Sequence, residues 1–188
     1  MNSMIYLYES WERDINEGYC LKGKNYLDLL SVCFRNCDSF TVFIWYNKIV
    51  PAWAQGIEMI PKIPEELERF RLPLGKTIEN IDKQFGYHGV DPDDPQYHVE
   101  FRRYKICDVT KTYLLETADD LFSWVVHNDP SKPENISFFR EDESLFMYSC
   151  THEGYCVLTP REDEDIAQLT AYKAWQQVTQ DVMDTYPV

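Results

Sequence analysis

Hydrophobic positions in NYLDLLSVCFRNC (residues 25 to 37) recur every three or four residues. Leu27, Leu30, Phe34 and Cys37 fall near one face, with Tyr26, Leu29 and Cys33 beside it, which predicts a well-buried helix. The next run, FTVFIWY (40 to 46), is β-branched and aromatic without a polar break, the pattern of a strand covered on both sides. Upstream, MIYLY (4 to 8) predicts another short strand.

The second half alternates more openly. HVEFRRYKIC (98 to 107) sets Val99 and Phe101 against Glu100 and Arg102, then shifts phase at Arg102-Arg103, which predicts a strand with a bulge or an edge position. KTYLLE (111 to 116) predicts a second strand, and TADDLFSWVV (117 to 126) a helix with Thr117 as its N-cap and Asp119 and Asp120 in its first turn. NISFFRE (135 to 141), LFMYSC (145 to 150) and YCVLT (155 to 159) read as three further strands. After Pro160, REDEDIAQL opens a predicted C-terminal helix carrying Ile166, Leu169, Trp175, Val178 and Val182.

Between these halves, residues 47 to 96 hold six of the ten prolines and four of the seven glycines, so long regular elements are not expected there. PEELERFRL (64 to 72) can form a short helix with Pro64 in its first turn. No repeat or domain boundary is visible. The expectation is one α+β domain over 1 to 188: a mainly antiparallel sheet, helices packed largely on one face, and an irregular Pro-rich insert at 47 to 96.

Composition narrows the functional classes. Aromatics make up 15% of the chain, enough buriable surface to exclude a disordered sequence. The net charge is −14, which opposes binding to phosphate backbones and anionic membranes and favours basic protein partners. Six cysteines lie at 20, 33, 37, 107, 150 and 156. No leader or apolar run of membrane-spanning length is evident, so a cytoplasmic protein with reduced thiols is expected.

Candidate chemistry is sparse. CTHEGYC (150 to 156) reads as a hairpin in which His152, Glu153 and Gly154 form the loop, Gly154 takes the left-handed position, and Cys150 faces Cys156. A zinc site on Cys150, His152 and Cys156 would lack a nearby fourth ligand. Cys33 and Cys37 stand one turn apart on the apolar side of their helix, where thiols act as small hydrophobes. DPDDP (91 to 95) lacks the ligand spacing and central glycine of a calcium loop. No catalytic residue, metal or cofactor is assigned. An enzyme is the alternative, with a cleft around 47 to 96 and His88, Asp91, His98 or His127 as acid-base groups.

What remains is an acidic face. From Glu134 to Asp165 nine acids stand against two bases, Arg140 and Arg161. Turns between strands can gather Glu141, Asp142, Glu143, Glu153, Glu162 and Asp163 into a binding surface for a basic protein. In size, charge, aromatic content and the run ENISFFREDESLFMYSCTHEGYCVLTPREDEDI, the chain resembles small acidic bacterial immunity proteins that neutralise cationic toxins. That run covers about a fifth of the chain and carries no motif from which individual site residues could be transferred. The resemblance implies a non-enzymatic inhibitor.

Overall fold

The strand Ser39–Asn47 (β2) buries Phe40, Val42 and Ile44 on one face and Ser39, Thr41 and Phe43 on the other, as its unbroken apolar sequence requires. The computed structural model describes residues 5–9, 21–47, 63–78, 97–124, 132–151, 153–171 and 175–179. Around β2 run Ile5–Glu9 (β1), Arg71–Leu72 (β3), Tyr97–Lys105 (β4), Glu134–Phe139 (β5), Leu145–Cys150 (β6), Tyr155–Leu158 (β7) and Gln176–Val178 (β8). They form one eight-stranded sheet in the order β3-β4-β2-β5-β6-β7-β1-β8, with every neighbouring pair antiparallel. With helices Lys24–Asn36 (α1), Glu65–Glu68 (α2), Asp108–Thr117 (α3) and Ala167–Thr170 (α4), the fold is α+β.

Two apolar clusters hold the layers together. The larger joins Tyr26, Leu30 and Cys33 of α1, Leu67 of α2, Leu114 of α3 and Leu169 of α4 to Phe40, Tyr104, Phe138 and Met147 of the sheet. The smaller contains Ile5, Leu7, Tyr148, Cys150, Tyr155 and Val157, the opposite pleat positions of β1, β6 and β7. At the centre of the larger cluster, the Trp124 indole N–H donates to the Tyr26 hydroxyl at 3.0 Å, and that hydroxyl donates to the Leu114 carbonyl at 3.4 Å.

Several expected elements differ. In α1 the buried stripe is Tyr26, Leu29, Leu30 and Cys33, while Leu27 is 49% exposed, because contact with the sheet selects one of two adjacent apolar stripes. KTYLLE is helix, not strand. Thr110 Oγ1 accepts from the Cys107 N–H at 2.9 Å, which caps α3 and sends Leu114 inward while Leu115 faces solvent. Thr117 therefore ends a helix instead of starting one. The capping role falls to Asp120, whose carboxylate accepts from the Phe122 N–H at 2.9 Å at the start of a single 3₁₀ turn, Leu121–Ser123.

Of the bulge or edge position expected in β4, the bulge is absent, for β4 pairs with β2 residue by residue from Ser39↔Lys105 to Asn47↔Tyr97, while on its other side the two-residue β3 pairs with it at Arg103 and Tyr104. Register shifts lie instead where β5 meets β2 and where it meets β6; at the first, Asn135 takes a φ of 47°, and asparagine tolerates that region better than most residues. Arg102 and Arg103 keep the pleat because each guanidinium finds a carboxylate on its own face of the sheet: Glu68 and Glu100 for Arg102, Glu143 for Arg103.

The predicted C-terminal helix is replaced by a turn, the one-turn α4 and strand β8. Trp175 enters the larger cluster and Val178 packs on the smaller one, on the other side of the sheet, a divergence that a strand permits and one helix face does not. Val182 lies outside the described residues.

Candidate functional site

Strands β5, β6 and β7 form a meander, so the turn 140–144 and the segment 160–165 after β7 meet at one end of the sheet. Glu141, Asp142, Glu143, Glu162 and Asp163 are gathered there. Glu153 is not: it sits in the β6–β7 loop at the opposite end, one strand of six residues or roughly 20 Å away. Glu134, counted in the acidic run, is buried in β5.

The organising residue of this end is Arg140, whose side chain is only 6% exposed. Its Nε donates to Glu164 Oε1 at 2.5 Å and its Nη2 to Glu164 Oε2 at 2.6 Å, a two-pronged pairing. Nη2 also donates to the Thr159 carbonyl at 2.7 Å, and Nη1 donates to the Leu145 carbonyl. The guanidinium lies 5.1 Å from the Phe146 ring centre. Burial pushes the Glu164 carboxyl up, but hydrogen bonds from Arg140 and from the Arg161 N–H outweigh it and leave the group below its ordinary value. The acid that closes this network precedes α4, so the run read as a helix start is instead a loop drawn over Arg140.

Two of the expected binding acids are likewise engaged within the chain. The Asp142 carboxylate accepts from the Ser144 hydroxyl at 2.6 Å and pairs with the Arg161 guanidinium, and these bonds, Ser144 first, hold its carboxyl well below the usual range. Glu143 pairs with the buried Arg103 at 2.6 Å and lies so close to Gly75 that a Cβ there would sit 2.6 Å from its carboxylate. Glu143 also has a φ of 63°, so this turn accepts a strained backbone to aim the carboxylate at Arg103. Glu141, Glu162 and Asp163 are exposed. Seven carboxylates of the two segments (Glu141, Asp142, Glu143, Glu162, Asp163, Glu164, Asp165) face three guanidiniums (Arg103, Arg140, Arg161), and the surplus lies on the solvent side. A shallow depression of about 380 Å³ between Asn36, Arg140, Glu141 and Arg161 marks this surface.

The hairpin is one register step from expectation. Cys150 pairs with Tyr155 and Ser149 with Cys156, so the loop holds four residues and the two cysteines point to opposite faces of the sheet. Gly154 takes the left-handed φ of 72°. Cys156 joins the larger cluster beside Leu158, and Cys150 joins the smaller beside Tyr148 and Tyr155. The two thiols cannot share an ion in this arrangement. Burial pushes the Cys150 thiol up to about 11 and raises Cys33 and Cys156 as well. Among the described residues no group of three or more histidines, cysteines or acids is placed to hold a metal ion.

His88, Asp91, His127 and His152 lie outside the described residues, as do 48–62 and 79–96, the greater part of the region that would form the alternative catalytic cleft. His98 is placed in β4 opposite Tyr46. No helix among the described residues is long and apolar enough to cross a membrane. Sequence reasoning missed the role of Arg140, whose signal was that it is one of only two bases among nine acids: an arginine at a strand end inside an acidic run has carboxylates waiting for it. Comparison with protein-family models, with curated proteins and with solved structures finds no match to this chain.

Proposed function

We propose that the chain is a non-enzymatic, cytoplasmic binding protein that occludes a basic protein partner with the acidic end of its sheet, in the manner of an immunity or inhibitor protein. One observation carries this reading. The arginines at that end are spent on Glu164, Glu143 and Asp142, and Glu141, Glu162 and Asp163 remain at the surface of a chain with net charge −14. A fixed field of that sign speeds encounter with a cationic partner and rejects anionic ones. Helices packed largely on one face of the sheet would leave this end as a rigid platform formed by turns that the Arg140 network pins in place. Glu153 belongs to the other end and is not part of the surface.

The test is capture of a basic partner from native host lysate by the tagged chain, washed at low and high salt, with the Glu141→Lys/Glu162→Lys/Asp163→Lys variant beside it. Capture should leave at high salt and fall about tenfold or more in the variant, with the thermal midpoint nearly unchanged. Equal capture by the variant sinks the assignment to this end. Asp142 and Glu143 are left intact because their reversal would break internal pairs.

A further inference from the structure

A groove of about 670 Å³ lies between α2 and α3, within the ~300–1,000 Å³ range of clefts that take ligands. Its floor is apolar. Leu67 rises from α2, and Val109 and Tyr113 lie one turn apart on α3, all three packed into or against the larger core cluster. Glu66, Asp108 and Glu116 line it, with Lys132 as the single basic residue among its described lining residues. Val109, Tyr113 and Glu116 follow helical spacing, so α3 presents one face to the groove, with Val109 and Tyr113 as its apolar part, Thr112 and Thr117 beside them, and Asp108 and Glu116 as acids toward its two ends.

The neighbouring arginines do not offset this charge. Arg71 and Arg102 are directed at Glu68 and Glu100, and Glu68 also accepts from the Tyr104 hydroxyl at 3.0 Å. A second copy of this chain is a poor occupant, since it carries the same net charge of −14.

We propose that this groove docks a basic peptide segment of a protein partner. One apolar side chain seats over Leu67, Val109 and Tyr113, while flanking lysines or arginines meet Glu66, Asp108 and Glu116. The division of labour is the usual one for such sites: the apolar anchor supplies most of the affinity, and the charges supply orientation and encounter rate. The groove is separate from the acidic end of the sheet, and it shares with the reading above only the class of partner.

The probe is a fluorescein-labelled peptide, Gly-Arg-Lys-Leu-Arg-Lys-Gly, titrated into the full chain and read by anisotropy, alongside a twin with serine for leucine. The parent peptide should bind, and the serine twin should bind about tenfold more weakly, the loss of one buried leucine. Val109→Arg, which blocks the floor, and Glu116→Lys, which leaves the floor intact, should each weaken the parent about tenfold. Glu116 is exposed on α3, so its variant keeps the test valid even where Val109→Arg disturbs folding. The Glu162→Lys/Asp163→Lys variant should change probe affinity less than about twofold, since neither residue lines the groove. Equal binding of the serine twin, indifference to both groove variants, or an equal loss in the Glu162→Lys/Asp163→Lys variant would reduce the effect to bulk charge and overturn the proposal, as would no binding to the wild-type chain. Failure of lysate capture with probe binding intact would count against the sheet-end surface alone.

Discussion

Replacing Glu164 with glutamine should be among the most damaging single-atom-scale changes in the molecule. Arg140 and Glu164 are 6% and 10% exposed and share bonds of 2.5 and 2.6 Å. Glutamine keeps one acceptor but turns an amide N–H₂ toward the guanidinium. Arg140 cannot follow its lost partner into water, because the carbonyls of Thr159 and Leu145 hold it in place. An uncompensated buried charge of this kind costs about 3–5 kcal/mol, and the surviving bonds place the expectation near the lower figure, about 3 kcal/mol. In a domain whose whole stability is roughly 5–15 kcal/mol, that is a large share. For this chain length it corresponds to a fall in Tm of about 6–12 °C. Urea unfolding followed by tryptophan fluorescence measures it directly, since Trp124 and Trp175 are buried in the core. The pH dependence has a defined sign. The Glu164 carboxyl lies below its ordinary value of 4.5 in the folded chain, so its contribution is complete above that value and disappears as pH falls through the lowered one. The variant should therefore lose most stability near neutrality and converge on the wild type in acid. A loss under about 1 kcal/mol at neutral pH, the size expected of exposed ion pairs, would refute the reasoning.

Two further outcomes test the core and the thiols. Tyr26→Phe removes the acceptor of the Trp124 indole N–H inside the larger cluster, and a loss of about 1–3 kcal/mol in urea unfolding is expected; a neutral result would mean that the indole finds another acceptor. In alkylation followed by peptide mass spectrometry, Cys107 should react before Cys33, Cys150 and Cys156. Slight burial raises its thiol, but the Thr110 N–H and hydroxyl and the Val109 N–H at the start of α3 outweigh it and leave it below the ordinary 9.0, while Cys150 stands at about 11 behind its strand neighbours. Early labelling of Cys150 or Cys156 would contradict the burial of the β6–β7 hairpin on both faces of the sheet.

The acidic end and the α2–α3 groove give the chain two surfaces of one sign. Near both, arginines pair with carboxylates of the same chain: Arg71 and Arg102 beside the groove, and Arg103, Arg140 and Arg161 at the acidic end.

Read alone, the sequence determined whatever depends on neighbours within a few residues. The unbroken apolar run of β2, the strands β5, β6 and β7, the helix α1 and the left-handed glycine of the hairpin were all legible, because pleat, helical period and φ are local properties. So was the surplus of acid, which is a sum. Tertiary structure decided what depends on distant partners. KTYLLE carries strand-forming residues, yet the cap at Cys107 and the burial of Leu114 make it helix. The acidic run before α4 resembles a helix start, yet Glu164 is drawn to Arg140, 24 residues earlier. Of the six acids read as one face, the meander gathers five and carries Glu153 to the far end, and Arg103 and Arg161 withdraw Glu143 and Asp142 from the surface charge. Composition counts charges; the fold sets which of them are already neutralised, because an ion pair depends on separation in space and not on separation along the chain.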